Sequence, residues 1–200
     1  MSSVMNIKTI AVHQQSITIT GGILSVGSWK LNDLTGGLGS FTCNLYGNLK
    51  NLYDKYFVRG AKVEVFVQNQ SGLPLTAYVW GSAESRTSNI DTDDTAYQQI
   101  ETQKYVSKRN IAAITGGTAY CKIKRYFSTS QLMGKRVTSS DEDFVGDFSN
   151  DASPSTSPFF NFVVKVADNI QATFTFSFSL KVTYYVTCFQ PQFTEPSVTA

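Results

Sequence analysis

The segment at residues 172–188 alternates apolar and polar side chains over its whole length. Its even-numbered positions are all apolar or aromatic: Ala172, Phe174, Phe176, Phe178, Leu180, Val182, Tyr184, Val186 and Cys188. Its odd-numbered positions are polar except for Tyr185. Because successive side chains of a β-strand point to opposite faces, the pattern predicts one strand with one face on a core. The strand exceeds the usual length of about 5–6 residues, so we expect it to bend or to serve two contacts.

Shorter segments with the same period predict four more strands. They are residues 57–68, 75–82, 119–127 and 159–167. In the last of these, Phe159 and Val163 lie on the face opposite the other apolar residues, which suggests a second contact surface. Near the start of the chain, apolar residues change from even to odd positions, which predicts a bulge or break near Gln14 and Gln15.

Helical signals are short and fall at residues 49–56 and 128–133, the second ending at Gly134. A loop rich in Ser, Asp and Thr is expected over residues 137–158. Many strands with turn residues between them and almost no helix indicate an all-β sandwich or barrel. We expect residues 1–200 to form a single domain, because this length is ordinary for one β sandwich.

Composition suggests a protein whose surface is partly covered by partners. Charged residues make up 16% of the chain, against roughly 25% in a typical domain, while aromatic residues reach 13%. Low charge with many aromatic side chains is typical of the centre of a protein interface. The three cysteines are widely separated and are expected to be buried thiols, as in a protein made in a reducing compartment. The sequence predicts neither a signal peptide nor a membrane-spanning segment.

The sequence offers little for catalysis, and we expect no enzyme active site. His13 is the only histidine, so any catalytic triad or dyad would depend on it. A hydrolase on a β scaffold would need paired carboxylates on facing strands, and Glu64 is the main acidic residue within a predicted strand. The glycines of residues 36–39 lack the lysine and the strand–helix context of a phosphate-binding loop.

Two acidic clusters are candidates for calcium, with a solvated loop as the alternative for each. The first cluster consists of Asp91, Asp93 and Asp94. The second consists of Asp141, Glu142, Asp143 and Asp147. Carboxylates in loops are the ligands that Ca²⁺ prefers, and calcium is the one metal that the sequence suggests.

Residues 102–140 contain eight basic residues and no acidic residue. The basic residues are Lys104, Lys108, Arg109, Lys122, Lys124, Arg125, Lys135 and Arg136. This stretch carries +8, whereas the whole chain carries +2. If these side chains share a face, they form a binding patch for nucleic acid or a sulfated glycan. The alternative is a set of scattered charges that discourage aberrant strand pairing.

Three segments resemble the capsid proteins of small circular single-stranded DNA viruses, which are related to tombusvirus-like capsids of small RNA plant viruses. The segments are residues 53–63 (YDKYFVRGAKV), 125–135 (RYFSTSQLMGK) and 181–186 (KVTYYV). The resemblance implies an antiparallel eight-stranded jelly-roll sandwich with short helical segments in loops. It also implies an icosahedral shell of about sixty copies. The exposed aromatic residues would be interface candidates, and the sequence suggests Tyr78, Trp80, Phe159 and Tyr185.

The implied partners are other copies of the chain and a viral nucleic acid, with single-stranded DNA favoured. The implied location is the virion, after synthesis in the host cytoplasm or nucleus. Such capsid proteins usually begin with an Arg/Lys-rich arm, whereas residues 1–29 contain only Lys8. The arm is then absent from this form, or other cations and proteins assist, or packaging is weak.

The resemblance also bears on which side of the shell each sheet faces. It implies that the sheet holding the last strand faces the interior, where that strand offers uncharged hydroxyl groups. The basic stretch would then lie on the opposite sheet and bind a host glycan. A rival interpretation is a carbohydrate-binding β sandwich of lectin type, which would also be all-β, aromatic and rich in Ser and Thr.

Overall fold

The computed structural model describes residues 4–22, 24–35, 43–85, 100–167 and 172–192. Its strands are β1 (Met5–Gly22), β2 (Leu24–Lys30), β3 (Tyr53–Asn69), β4 (Leu75–Ser82), β5 (Ser107–Ile111), β6 (Tyr120–Ser128), β7 (Val145–Asp147), β8 (Phe159–Val166) and β9 (Ala172–Pro191). The helices that lie wholly within the described ranges are α1 (Tyr46–Lys50) and α2 (Thr129–Met133), and a 3₁₀ turn covers Glu142–Phe144. Ile100 and Glu101 are also helical.

The strands form two antiparallel sheets that face each other. One sheet has the order β1-β9-β3-β6, with the short β7 also paired to β3. The other has the order β2-β8-β4-β5. Long strands that are consecutive in the chain mostly lie in different sheets, and the first and last strands are neighbours, which is the jelly-roll arrangement. The predicted antiparallel jelly roll is therefore confirmed, with β7 as a ninth, three-residue strand.

The last strand supplies one wall of the core, as its alternation predicts. The even-numbered residues from Phe174 to Cys188 are at most 4% exposed. The ring of Phe178 lies 5.3 Å from that of Phe162, measured between centroids, which joins β9 to β8 in the opposite sheet. All three cysteines are buried free thiols, as predicted.

The first strand is continuous, so the predicted break near Gln14 and Gln15 is wrong. Its register on β9 runs unshifted from Met5 to Ile19, and the only irregularity lies between Ile19 and Gly22. Val12, which suggested the change of face, points away from the core and is 51% exposed. The apparent change from even to odd positions arose because an apolar residue lies on the outer face of the sheet.

The helical predictions succeed for α2 and partly fail for α1. Helix α2 ends at Gly134, whose φ of 67° is the left-handed conformation of a helix C-terminus that glycine adopts most easily. Helix α1 is only five residues long and stops at Lys50, because residues 53–56 extend β3. No helix in the described ranges has the length and hydropathy needed to cross a membrane.

The outer face of the four-stranded sheet is covered by the chain itself. Tyr78, Trp80 and Val163 point away from the main core and form a second apolar cluster with Ile100. Val106 packs against the same cluster. The second contact surface expected around Val163 is therefore intramolecular, and Tyr78 and Trp80, which are at most 1% exposed, are not free for an interface.

Candidate nucleic-acid interface

The eight basic residues of the 102–140 stretch do not share one face. Lys122 and Lys124 lie on the outer face of β6, where β3 carries Glu64 and Phe66 opposite them. Strand β6 belongs to the same sheet as β9, so the expectation that the stretch lies on the opposite sheet is wrong for these two lysines.

The other six residues lie elsewhere. Arg125 is on the inner side of β6 and half-buried. Lys108 and Arg109 are on β5 of the other sheet, and Lys104 precedes that strand. Lys135 and Arg136 are exposed just after α2. The alternative of scattered charges describes this part of the stretch.

Lys122 and Lys124 instead lie near residues that are distant in the sequence and belong to other strands of the same sheet. We call ten side chains on the outer side of β1, β9, β3 and β6 the lysine–aromatic face. They are Lys8, Lys62, Glu64, Phe66, Tyr120, Lys122, Lys124, Tyr126, Lys181 and Tyr185. Five lysines and one carboxylate give this face a net charge of +4, although the whole chain has only +2.

Strand register sets the order of groups on this face. Moving along β6, Tyr120 comes first, followed by Lys122, Lys124 and Tyr126. Across the sheet, Lys124 pairs with Glu64, which in turn pairs with Lys181 of β9. Tyr120 and Tyr126 are six residues apart, or about 20 Å along the strand. The lysines therefore lie between two aromatic groups.

Each end of the face carries an aromatic pair that crosses between strands. At one end the rings of Phe66 and Tyr120 are 5.6 Å apart and inclined by 30°. At the other end Tyr126 and Tyr185 are 5.7 Å apart in an edge-to-face arrangement. Lys8 places its Nζ 5.5 Å from the Tyr185 ring centroid, within cation–π range.

The Tyr126–Tyr185 pair spans β3, and Gly60 makes room for it. A Cβ atom at Gly60 would lie 2.6 Å from the Tyr126 hydroxyl oxygen and 2.5 Å from the carbonyl oxygen of Phe127. Gly60 follows a bulge in the pairing of β3 with β9. The absence of a side chain at this point lets the tyrosine lie across the middle strand.

Glu64 is the acidic residue at the centre of the face. Its carboxylate lies 2.7 Å from the Lys62 ammonium and 3.7 Å from that of Lys122. The hydrogen bond from Lys62 lowers the pKa of Glu64, and the same bond raises the pKa of Lys62. The carboxylate thus stays ionised and offsets part of the positive charge of its neighbours.

A shallow depression beside Phe66 adds polar groups to the face. It has a volume of about 370 Å³. Its lining consists of Gln14, Gln15, Ser16, Phe66, Gln68, Ser177, Phe178 and Ser179. The amide and hydroxyl groups can both donate and accept hydrogen bonds, next to an aromatic ring that is 38% exposed.

The basic residues of the opposite sheet are bound into the structure. Lys108 donates to Glu101 at 2.7 Å, and the Tyr78 hydroxyl donates to the same carboxylate at 3.1 Å. The hydrogen bond from Lys108, with a smaller effect from that of Tyr78, lowers the pKa of Glu101. These contacts tie the segment that begins at Ile100 to the outer face of β4, so they hold the cover over Trp80.

The acidic loops do not bring together a metal site in the parts of the chain that are described. Asp91, Asp93 and Asp94 lie outside the described residues. Asp141 accepts from the amide and hydroxyl of Thr138, and Asp147 accepts from Ser149 in the same way. Within the described ranges, no three Asp, Glu, His or Cys side chains converge as a metal site would require.

One signal for this face is present in the sequence itself. Lys122, Lys124 and Tyr126 share one parity on β6, and Lys62, Glu64 and Phe66 share one on β3. Period-two counting places each set opposite an apolar face. Only the register between strands, however, shows that the two sets are neighbours.

Comparisons with known proteins support the fold. No family model matches the chain, and no curated protein matches its sequence. A virus-like particle of the nodavirus of the giant freshwater prawn Macrobrachium rosenbergii is similar in structure, with a TM-score of 0.58 and 11% identity over 98% of both chains. The mud crab tombus-like virus has a TM-score of 0.50 and 13% identity, over 98% of this chain and 85% of the other.

A second structure of the Macrobrachium rosenbergii nodavirus gives a TM-score of 0.55 and 12% identity, over 99% of this chain and 56% of the other. At such low identity these similarities establish the fold alone. These neighbours are a nodavirus and a tombus-like virus, so they do not support the single-stranded DNA part of the resemblance. The chain has the jelly-roll fold of viral capsid proteins.

Proposed function

We propose that this chain is the structural protein of a small icosahedral viral shell, in which copies of it enclose a nucleic-acid genome. The role is architectural and needs no catalytic group. The observation that carries the proposal is the fold: a two-sheet jelly roll that matches a subunit of a virus-like particle over 98% of both chains.

Exposed apolar side chains at several edges of the sandwich support self-association. They are Val4, Met5, Val12, Leu52 and Ile114, each at least 45% exposed. Phe159, suggested as an interface residue from the sequence, is half-buried. Tyr185, suggested with it, is also half-buried but belongs to the lysine–aromatic face. Contact with neighbouring copies would remove this apolar area from water, which favours assembly.

Electron microscopy and sedimentation of the purified full-length chain test this proposal. A shell of sixty copies at 22.1 kDa each has a mass of about 1.3 MDa. Closed particles of megadalton mass support the proposal. A species that remains a monomer or small oligomer at every concentration contradicts it and favours the lectin-type alternative.

We further propose that the enclosed genome is single-stranded DNA and that the shell contains sixty copies of the chain. The DNA assignment depends on the resemblance of residues 53–63, 125–135 and 181–186 to capsids of DNA viruses. Nucleic acid extracted from nuclease-treated particles decides the first point: DNase-sensitive, RNase-resistant material supports DNA, and the reverse result supports RNA. Particle symmetry determines the subunit number.

A further inference from the structure

We propose that the lysine–aromatic face is a binding surface for single-stranded nucleic acid, with bases stacked on its two aromatic pairs and phosphates on the lysines between them. The proposal deepens the proposed function, because it assigns genome contact to the outer side of β1, β9, β3 and β6.

The positive charge of the lysine–aromatic face favours binding of an anionic polymer. Lys62, Lys122, Lys124 and Lys181 lie within a few strand spacings of one another, and β-strands are about 4.8 Å apart. Glu64 offsets one of these charges and leaves the face clearly positive. A phosphate backbone that releases counterions on contact with several lysines gains affinity at low salt.

The aromatic residues favour a single strand over a duplex. Tyr120 and Tyr126 are 57% and 52% exposed, and Phe66 is 38% exposed. Unpaired bases can stack on such rings, whereas the faces of bases inside a duplex are already covered by their neighbours. Aromatic groups on either side of basic groups therefore fit a strand whose bases and phosphates both need partners.

The amide and hydroxyl groups beside Phe66 offer hydrogen-bond partners to a base. Gln14, Gln68 and Ser179 border the depression next to that ring. A base stacked on Phe66 would place its polar edge near these groups, which can pair with any base edge. We therefore expect binding with little sequence preference.

The affinity of the full-length chain for labelled oligonucleotides tests the proposal. Oligothymidylate and oligouridylate of about 20 nucleotides are compared with duplex DNA of the same length by fluorescence anisotropy, between about 50 and 200 mM salt. Sedimentation at the concentrations used shows whether the subunits are unassembled. If they remain assembled, the nucleic acid content of the particles replaces anisotropy as the readout.

The first set of variants tests the aromatic residues with the double substitution Tyr120→Ala and Tyr126→Ala. Loss of two stacking partners should weaken single-strand binding by about tenfold or more at each salt concentration. The matched control is Tyr105→Ala, which removes a tyrosine that is 39% exposed elsewhere and should leave the affinity unchanged.

The second set of variants tests the lysines with the double substitution Lys122→Gln and Lys124→Gln. The slope of log affinity against log salt should become shallower by up to about 1.4, since each phosphate contact contributes about 0.7 for a single strand. Lys104→Gln with Arg109→Gln removes the same charge from other parts of the chain and should keep the original slope. Glu64→Gln should raise affinity at low salt by up to about fivefold, because it removes a repelling carboxylate.

Three outcomes would overturn the proposal: no single-strand binding at the lowest salt, equal effects from the control substitutions, or binding that depends on the lysines and not on the tyrosines. The last outcome, with heparin bound equally well, would indicate a surface for sulfated glycans. Particles that form without oligonucleotide binding would refute this proposal and leave the shell proposal intact. Oligonucleotide binding by a chain that forms no particles would do the opposite.

Discussion

Tyr78 and Trp80 on the four-stranded sheet and Tyr120 and Tyr126 on the five-stranded sheet all point away from the core between the sheets. The first two are at most 1% exposed and the second two more than half exposed. The difference arises because Ile100 and Val106 pack over Tyr78 and Trp80 and cover them. One outer face has thus become a second core, while the other retains aromatic groups that are available to partners.

The largest expected effect on stability comes from a pair of aromatic substitutions, one on each outer face. Trp80→Ala should lower the free energy of unfolding by about 3–5 kcal/mol, because it opens a cavity in a buried cluster. Tyr120→Ala on the exposed face should change it by less than about 1 kcal/mol. Urea denaturation measures both, and equal effects would show that the two outer faces are equally buried.

Thiol reactivity distinguishes the two sides of β6. Burial raises the pKa of Cys121 to about 11, and that thiol faces the core. A cysteine introduced by Lys122→Cys would instead face solvent, and it should react with a thiol reagent near neutral pH faster by a factor on the order of 100. In denaturant the two should react at similar rates. A fast reaction of Cys121 in the folded protein would place it outside the core.

Gly60 tests whether the Tyr126–Tyr185 pair depends on close approach over β3. Gly60→Ala should cost about 1–3 kcal/mol, because the new methyl group meets Tyr126 and the backbone of Phe127. Gly47→Ala in α1 is the control, since its added methyl group meets open space and should be neutral or stabilising by up to about 1 kcal/mol. Thermal unfolding of both variants gives the comparison, and a harmless Gly60→Ala would contradict the described packing.

The smallest effect concerns the carboxylate that holds the cover over Trp80. Because the pKa of Glu101 is lower in the folded chain, the unfolded chain binds more protons in acid. The contribution of this carboxylate is complete above its unfolded pKa of about 4.3 and is lost as pH falls through its folded pKa. For an exposed pair it should stay below about 1 kcal/mol.

Glu101→Gln should therefore lower the melting temperature slightly at pH 7 and not at pH 3. The control is Glu142→Gln, whose carboxylate has no partner among the described residues. A constant difference between pH 7 and pH 3 would show that the carboxylate charge does not stabilise the cover.

The strands that were predictable from the sequence are those with one apolar face. The alternation of apolar and polar residues located β9. Leu75, Ala77 and Val79 located β4 by the same period, although both faces of that strand are buried, and α2 was found through Gly134. Strand β5 was missed because it is a short edge strand whose residues Lys108 to Asn110 are exposed. Short edge strands carry few apolar residues, so their pattern is weak.

The candidate site was only partly predictable for a different reason. The basic stretch pointed to Lys122 and Lys124, but it also included Arg125, which faces the core side of the same strand. Lys62 and Lys181 lie far away in the sequence and become neighbours only through strand register. The burial of Tyr78 and Trp80 depends on a chain return that has no local signal.

The shell proposal is tested most directly by electron microscopy of the purified full-length chain, with sedimentation of the same sample. The expected result is closed particles of uniform size and megadalton mass, built from many copies of the 22.1-kDa chain. A homogeneous monomer or small oligomer under all assembly conditions would contradict it.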